Sequence, residues 1–143
     1  METIKSLNQL SSIILNCAYR VHSTLGPGLF ESVYEAALAY ELKVAGFNVE
    51  RQKSLPVIYN DVKLDEGFRI DLLVDDRIII ELKAVKDLEP IHKAQLITYL
   101  KLADKDVGLL INFNTVSLKD GILRCFKNKK VITEDEYYST DRL

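Results

Sequence analysis

The apolar run Ile78-Ile79-Ile80-Glu81-Leu82-Lys83-Ala84 sets an acid and a base two residues apart. Side chains two apart on a strand share a face, so Glu81 and Lys83 point one way while Ile80, Leu82 and Ala84 point the other. An isolated pair of this kind is ordinarily a solvated strand edge with a cross-strand ion pair. Here the preceding isoleucines are apolar on both faces, as in an interior strand, and a charge in such a strand needs a partner or a metal. Asp71, in the run Phe68 to Val74 just upstream, supplies a second carboxylate from the adjoining strand. Two carboxylates converging on one point favour a hard divalent cation such as Mg²⁺. Such an ion lowers the pKa of a water and stabilises charge on a phosphoryl oxygen. Lys83 would orient or deprotonate that water and neutralise the developing negative charge.

This chemistry depends on strand register. A two-residue turn at Asp75-Asp76 pairs Val74 with Arg77 and sends Asp71 and Glu81 to opposite faces, which no shared metal tolerates. A three-residue loop of Asp75, Asp76 and Arg77 pairs Val74 with Ile78 and Asp71 with Glu81; a two-residue turn plus a β-bulge has the same effect. One of these irregular connections is therefore expected.

The elements that must position these residues follow from periodicity. Ile4, Leu7, Ile14, Cys17, Ala18, Val21 and Leu25 form the stripe of an amphipathic helix, ended by Gly26-Pro27-Gly28. A second helix is predicted from about Leu29 to Ala45, with Val33, Ala37, Tyr40 and Val44 on one flank, Phe30, Tyr34 and Leu38 beside them, and Gly46 as C-cap. Three strands are expected at Val49 to Tyr59, Phe68 to Val74 and Ile78 to Val85, with Asn60-Asp61 and Asp75-Asp76 as turns and Glu66-Gly67 opening the middle strand. Pro90 to Ala103 reads as a third helix with Pro90 in its first turn. Val107 to Phe113 reads as a buried central strand, and Ile122 to Phe126 with Val131-Ile132 as a hairpin around a basic turn. The order helix, helix, three strands, helix, strand is a mixed α/β arrangement in which the third helix permits a parallel crossover.

A chain of 143 residues, 48% hydrophobic, buries one core, so a single domain over 1–143 is expected: helical 4–45, strands 49–85, helix 90–103, strands 107–132 and an acidic C-terminal tail from Glu134. No segment is long enough to cross a bilayer, and the N-terminus does not read as a secretory signal, so a cytoplasmic protein is expected. Cys17 and Cys125 have no metal-ligand spacing and read as small core residues. The net charge of -2 weighs mildly against a nucleic-acid partner, although acidic metal ligands lower the total without describing any local surface. His22 reads as a helix-end packing residue, and Lys127, Lys129 and Lys130 as a solvated hairpin tip.

Asp71 followed, after a hairpin, by Glu81-Leu82-Lys83 resembles the motif of the PD-(D/E)XK nuclease superfamily, with Ile70 where the motif's proline would stand. Gly28-Leu29-Phe30-Glu31-Ser32-Val33-Tyr34 resembles the signature of its GxxExxY branch, and the similarity spans roughly residues 10 to 126. Gln95 and Tyr99, four apart and so on one helix face, resemble the QxxxY feature that flanks the active site in several such nucleases. The resemblance implies a restriction-endonuclease-like core, a mixed central sheet flanked by helices, with an extra N-terminal helix. It also implies a metal-dependent phosphodiester hydrolase. Asp71 and Glu81 would be ligands to Mg²⁺, with Mn²⁺ able to substitute, and Glu31 an auxiliary ligand from the helix. Taken alone, Glu31 reads as an acidic residue favouring a helix start. Lys83 would be the catalytic cation, with Gln95 and Tyr99 in support. The implied partner is nucleic acid, DNA ahead of RNA, with a homodimer as a further option. A non-catalytic nucleic-acid-binding or protein-interaction module keeping the same fold is the alternative.

Overall fold

The structure, a computed structural model, describes residues 3–139. Helix α1 (Ile4–Leu25) starts at a capping box, in which Thr3 Oγ1 accepts from Ser6 N and Ser6 Oγ accepts from Thr3 N. It buries Leu7, Ile14, Leu15, Cys17, Ala18 and Val21 and stops at Gly26, whose φ of 72° a side chain rarely adopts. Helix α2 (Glu31–Val44) buries Tyr34, Leu38, Ala39 and Leu42 and leaves Val33, Tyr40 and Val44 exposed. The choice between its two apolar flanks falls to Tyr34. Its ring stacks on Phe113 at 4.6 Å, while its hydroxyl donates to Gly26 O (2.6 Å) and accepts from Leu29 N (3.1 Å). The tyrosine of the GxxExxY stretch thus ties down the Gly-Pro-Gly turn.

Strands β1 (Val49–Tyr59), β2 (Val62–Val74), β3 (Ile78–Lys83), β4 (Val107–Asn112), β5 (Ile122–Phe126) and β6 (Val131–Thr133) form one sheet in sequence order. All neighbours are antiparallel except β3 and β4, which helix α3 (Pro90–Ala103) connects in parallel. This is the mixed sheet flanked by helices expected of a PD-(D/E)XK core, with the N-terminal helix α1 added. The sheet separates two cores. Leu72, Val74, Ile80 and Leu109 pack under α1 and α2, whereas Ile70, Leu73, Ile79 and Leu110 pack against Leu96 and Leu100 of α3. Strand β3 is apolar on both faces because both are covered.

Two regions depart from expectation. Strand β2 begins at Val62, not near Phe68, and pairs with β1 across a turn at Asn60 and Asp61 whose φ values are 49° and 65°. Its first half is exposed on both faces, so no apolar alternation marks it. Past β6, Glu134–Ser139 is a short helix, α4, and not a solvated tail. Glu134 is buried there in a two-point ion pair with the fully buried Arg124, whose guanidinium also lies under Tyr137 at 3.7 Å. The rest of the predicted acidic tail, residues 140–143, lies outside the described residues.

Candidate active site

Strands β2 and β3 are joined by three residues, Asp75, Asp76 and Arg77, and Val74 pairs with Ile78, Leu73 with Ile79 and Leu72 with Ile80. Asp75 and Asp76 adopt left-handed φ values of 53° and 54°. Asp75 Oδ1 accepts from Asn48 N at 2.7 Å, anchoring the loop. This is the register in which Asp71 and Glu81 come next to each other.

The ladder ends at Leu72 and Ile80, so the two carboxylates sit where the strands begin to part. Each accepts a backbone N–H from the opposite strand. Glu81 Oε2 accepts from Asp71 N at 2.9 Å, and Asp71 Oδ2 accepts from Leu82 N at 2.8 Å. Both side chains are thereby held in the fork of the sheet.

Glu81 is only 4% exposed. Burial first, and then the charge of Asp71, push its carboxyl up to about 8, against the pull of the Asp71 N–H and the Lys83 charge. Asp71 is also raised, by burial and then by Glu35, against donors from Leu82 N and Gln52. Lys83 is half-buried on the same strand and lowers both carboxyls through space. A buried and a half-buried carboxyl, both raised, form a donor set short of positive charge, with oxygen ligands suited to a hard cation.

The other predicted residues are placed unequally. Tyr99 stacks on Phe68 at 4.8 Å, and its hydroxyl is raised by burial and then by the charges of Glu81 and Asp71, so it borders the carboxylates. Gln95 is half-buried one turn earlier on α3. Glu31 is exposed at the start of α2 and reaches Glu81 through its charge alone. Among the described residues, no group of three or more His, Cys, Asp or Glu side chains is arranged to hold a metal. A cation between Asp71 and Glu81 would complete its shell from other oxygens. His92 caps α3 by accepting from Glu89 N, and His22 contacts Thr115 O and the Phe113 ring.

Sequence reasoning missed Glu35 and Gln52. Glu35, one turn beyond Glu31 and 7% exposed, accepts from Arg51 Nε (3.1 Å) and Gln52 Nε2 (2.6 Å). Gln52 Nε2 also lies 3.2 Å from Asp71 Oδ1. A signal for Glu35 was available: it stands between Tyr34 and Leu38 on the flank that packs, where an acidic residue needs partners. A groove of about 630 Å³ runs along the β1–β2 hairpin past Lys63, Phe68 and Arg69, and the carboxylates lie outside it. Asp71 and Glu81 converge at the fork and not in the groove.

A family model for the PD-(D/E)XK nuclease superfamily matches residues 8–125. The chain belongs to this superfamily. Comparison with curated proteins and with solved structures gave no match.

Proposed function

We propose that this chain is a metal-dependent nuclease of the GxxExxY branch, hydrolysing phosphodiester bonds in DNA. The observation behind this reading is the pairing of Asp71 and Glu81 in one sheet fork, each oriented by the other strand's backbone, with Lys83 beside them. The superfamily implies a divalent metal, and the residues fit one. Asp71 and Glu81 offer hard oxygens, and a bound cation would offset the burial that raises both carboxyls and the Asp71 charge that raises Glu81 further. Mg²⁺ held there supplies Lewis acidity: it acidifies a water and offsets charge on a phosphoryl oxygen.

The rest is done by the chain itself. Lys83 presents an ammonium to the charge that develops on the phosphate, and needs no reorganisation because β3 is packed on both faces. Phe68 and Tyr99 wall one side of the fork. Glu31 adds negative charge at the start of α2, favouring the cation from a distance, and Gln95 supports the same edge from α3. Lys63 and Arg69, in the adjoining groove, offer cations to a strand's phosphates.

The test is a cleavage assay over single- and double-stranded DNA and RNA with Mg²⁺ or Mn²⁺, comparing wild type with Lys83→Ala. Removal of one charge-stabilising group is expected to slow cleavage about a hundredfold or more. Cleavage by the variant at the wild-type rate, or none by the wild type on any substrate, overturns the reading.

A further inference from the structure

Strand alternation reverses at one level of the β1–β2 hairpin. On β2, Leu72 and Val74 face the α1–α2 core, yet Ile70, two residues before Leu72, faces the α3 core with Phe68. On β1, Val49 packs toward α1 and α2 and Arg51 reaches Glu35 of α2, whereas Leu55 packs on the α3 side. Strict alternation would keep each set on one face. The pairing continues across this level in unchanged register, Arg51 with Leu72 and Lys53 with Ile70, and omits one pair of positions, Gln52 and Asp71. Both strands therefore take a half-step at the level where the aspartate turns into the fork.

Gln52 makes the half-step on β1. Its φ is 51°, a left-handed backbone that costs a non-glycine residue free energy and is not needed for a regular strand. That backbone aims its side chain at α2 and β2, so one amide nitrogen serves two carboxylates, Glu35 Oε1 at 2.6 Å and Asp71 Oδ1 at 3.2 Å. An amide NH₂ has two hydrogens to give, one to each. Glu35 is itself fixed by Arg51 Nε. Asp71 is consequently held at both oxygens: Oδ2 by Leu82 N and Oδ1 by Gln52.

We infer that Gln52, backed by Glu35 and Arg51, is a positioning residue that holds Asp71 in its metal-binding orientation; this rests on the reading of Asp71 and Glu81 as metal ligands. A neutral donor suits the task. A lysine or arginine would compete with the cation for Asp71, and a carboxylate would repel both neighbours.

Gln52→Gly separates the two roles of this residue, because glycine accepts the left-handed backbone while removing the amide. The full chain is titrated with Mn²⁺ by calorimetry, and melted without metal. The expected result is a melting temperature at or above that of the wild type, with Mn²⁺ binding about ten- to a hundredfold weaker. Saturating Mn²⁺ should then restore kcat on DNA with KM for DNA unchanged. Gln52→Asn, which tolerates the same backbone but is one methylene shorter, is expected to lose affinity likewise. Wild-type affinity in Gln52→Gly would overturn the inference and leave the metal site standing. Absence of Mn²⁺ binding by the wild type would overturn both.

Discussion

Replacing Glu81 by glutamine should stabilise the metal-free protein, little at pH 5 and increasingly as pH rises toward 8. The Glu81 carboxyl is held at about 8 in the folded chain against an ordinary value of 4.5. A carboxyl raised by folding keeps its proton where the unfolded chain has lost it. Its contribution is therefore greatest below 4.5, declines as pH rises through the interval, and levels off above about 8. At about 1.4 kcal/mol per pH unit, full ionisation of Glu81 would cost about 5 kcal/mol, and about 3 kcal/mol has been lost by pH 7. Asp71 shares the repulsion, so about 2–4 kcal/mol is the expected difference at pH 8.5. Glutamine keeps an oxygen to accept the Asp71 N–H but cannot ionise. Urea unfolding in EDTA at pH 5 and pH 8.5 is the assay. Near-equality at the lower pH and a gain at the higher one are expected, equivalent to a melting increase of about 10 °C for a chain of this size. Added Mg²⁺ should close the gap by stabilising the wild type alone. A Glu81→Gln gain that is equal at both pH values, or absent at both, would refute the argument that burial and Asp71 oppose ionisation.

Mn²⁺ binding to the wild type should tighten about tenfold per pH unit on approach to pH 8 and then level off, because the cation displaces the Glu81 proton; calorimetry over that range, with Asp71→Ala/Glu81→Ala as the non-binding control, checks it. Lys83→Ala should bind Mn²⁺ about as well as the wild type while losing cleavage, since the lysine is outside the ligand set, and a parallel loss of both would remove its catalytic assignment. Tyr34→Phe should keep the stack on Phe113 but lose the bonds to Gly26 O and Leu29 N, at about 1–3 kcal/mol by chemical denaturation; an unchanged midpoint would show that the Gly-Pro-Gly turn holds itself.

Elements with strong apolar periodicity were legible in the sequence. Helices α1 and α3 begin and end where the pattern and the Gly and Pro residues place them, and the three-residue β2–β3 loop follows from requiring two carboxylates to meet. Legibility failed where partners lie far apart in sequence. The apolar residues of α2 offer two plausible flanks, and the choice depends on Phe113, some eighty positions away. Glu134 looks like part of an acidic tail until Arg124 is seen to need a counter-ion inside the core. Gln52 escaped because alternation reverses there, so a period-two reading assigns the residues beyond it to the wrong face, while Glu35 lies on the α2 flank that only the contact of Tyr34 with Phe113 selects.

The fork explains why the carboxylates can be buried at all. Acidic side chains in an apolar sheet need donors, and past the last ladder pair, Leu72 with Ile80, each carboxylate finds one on the opposite strand. Glu81 accepts the N–H of Asp71, and Asp71 accepts the N–H of Leu82. These two side chain–backbone hydrogen bonds hold the carboxylate oxygens as a fixed pair. What hydrogen bonding leaves unbalanced is charge: one ionised carboxylate is tolerated in the fork and a second is resisted. Below about pH 8 the Glu81 proton removes that imbalance; above it a bound cation would, and without one the second charge gives the metal-free site its pH-dependent instability.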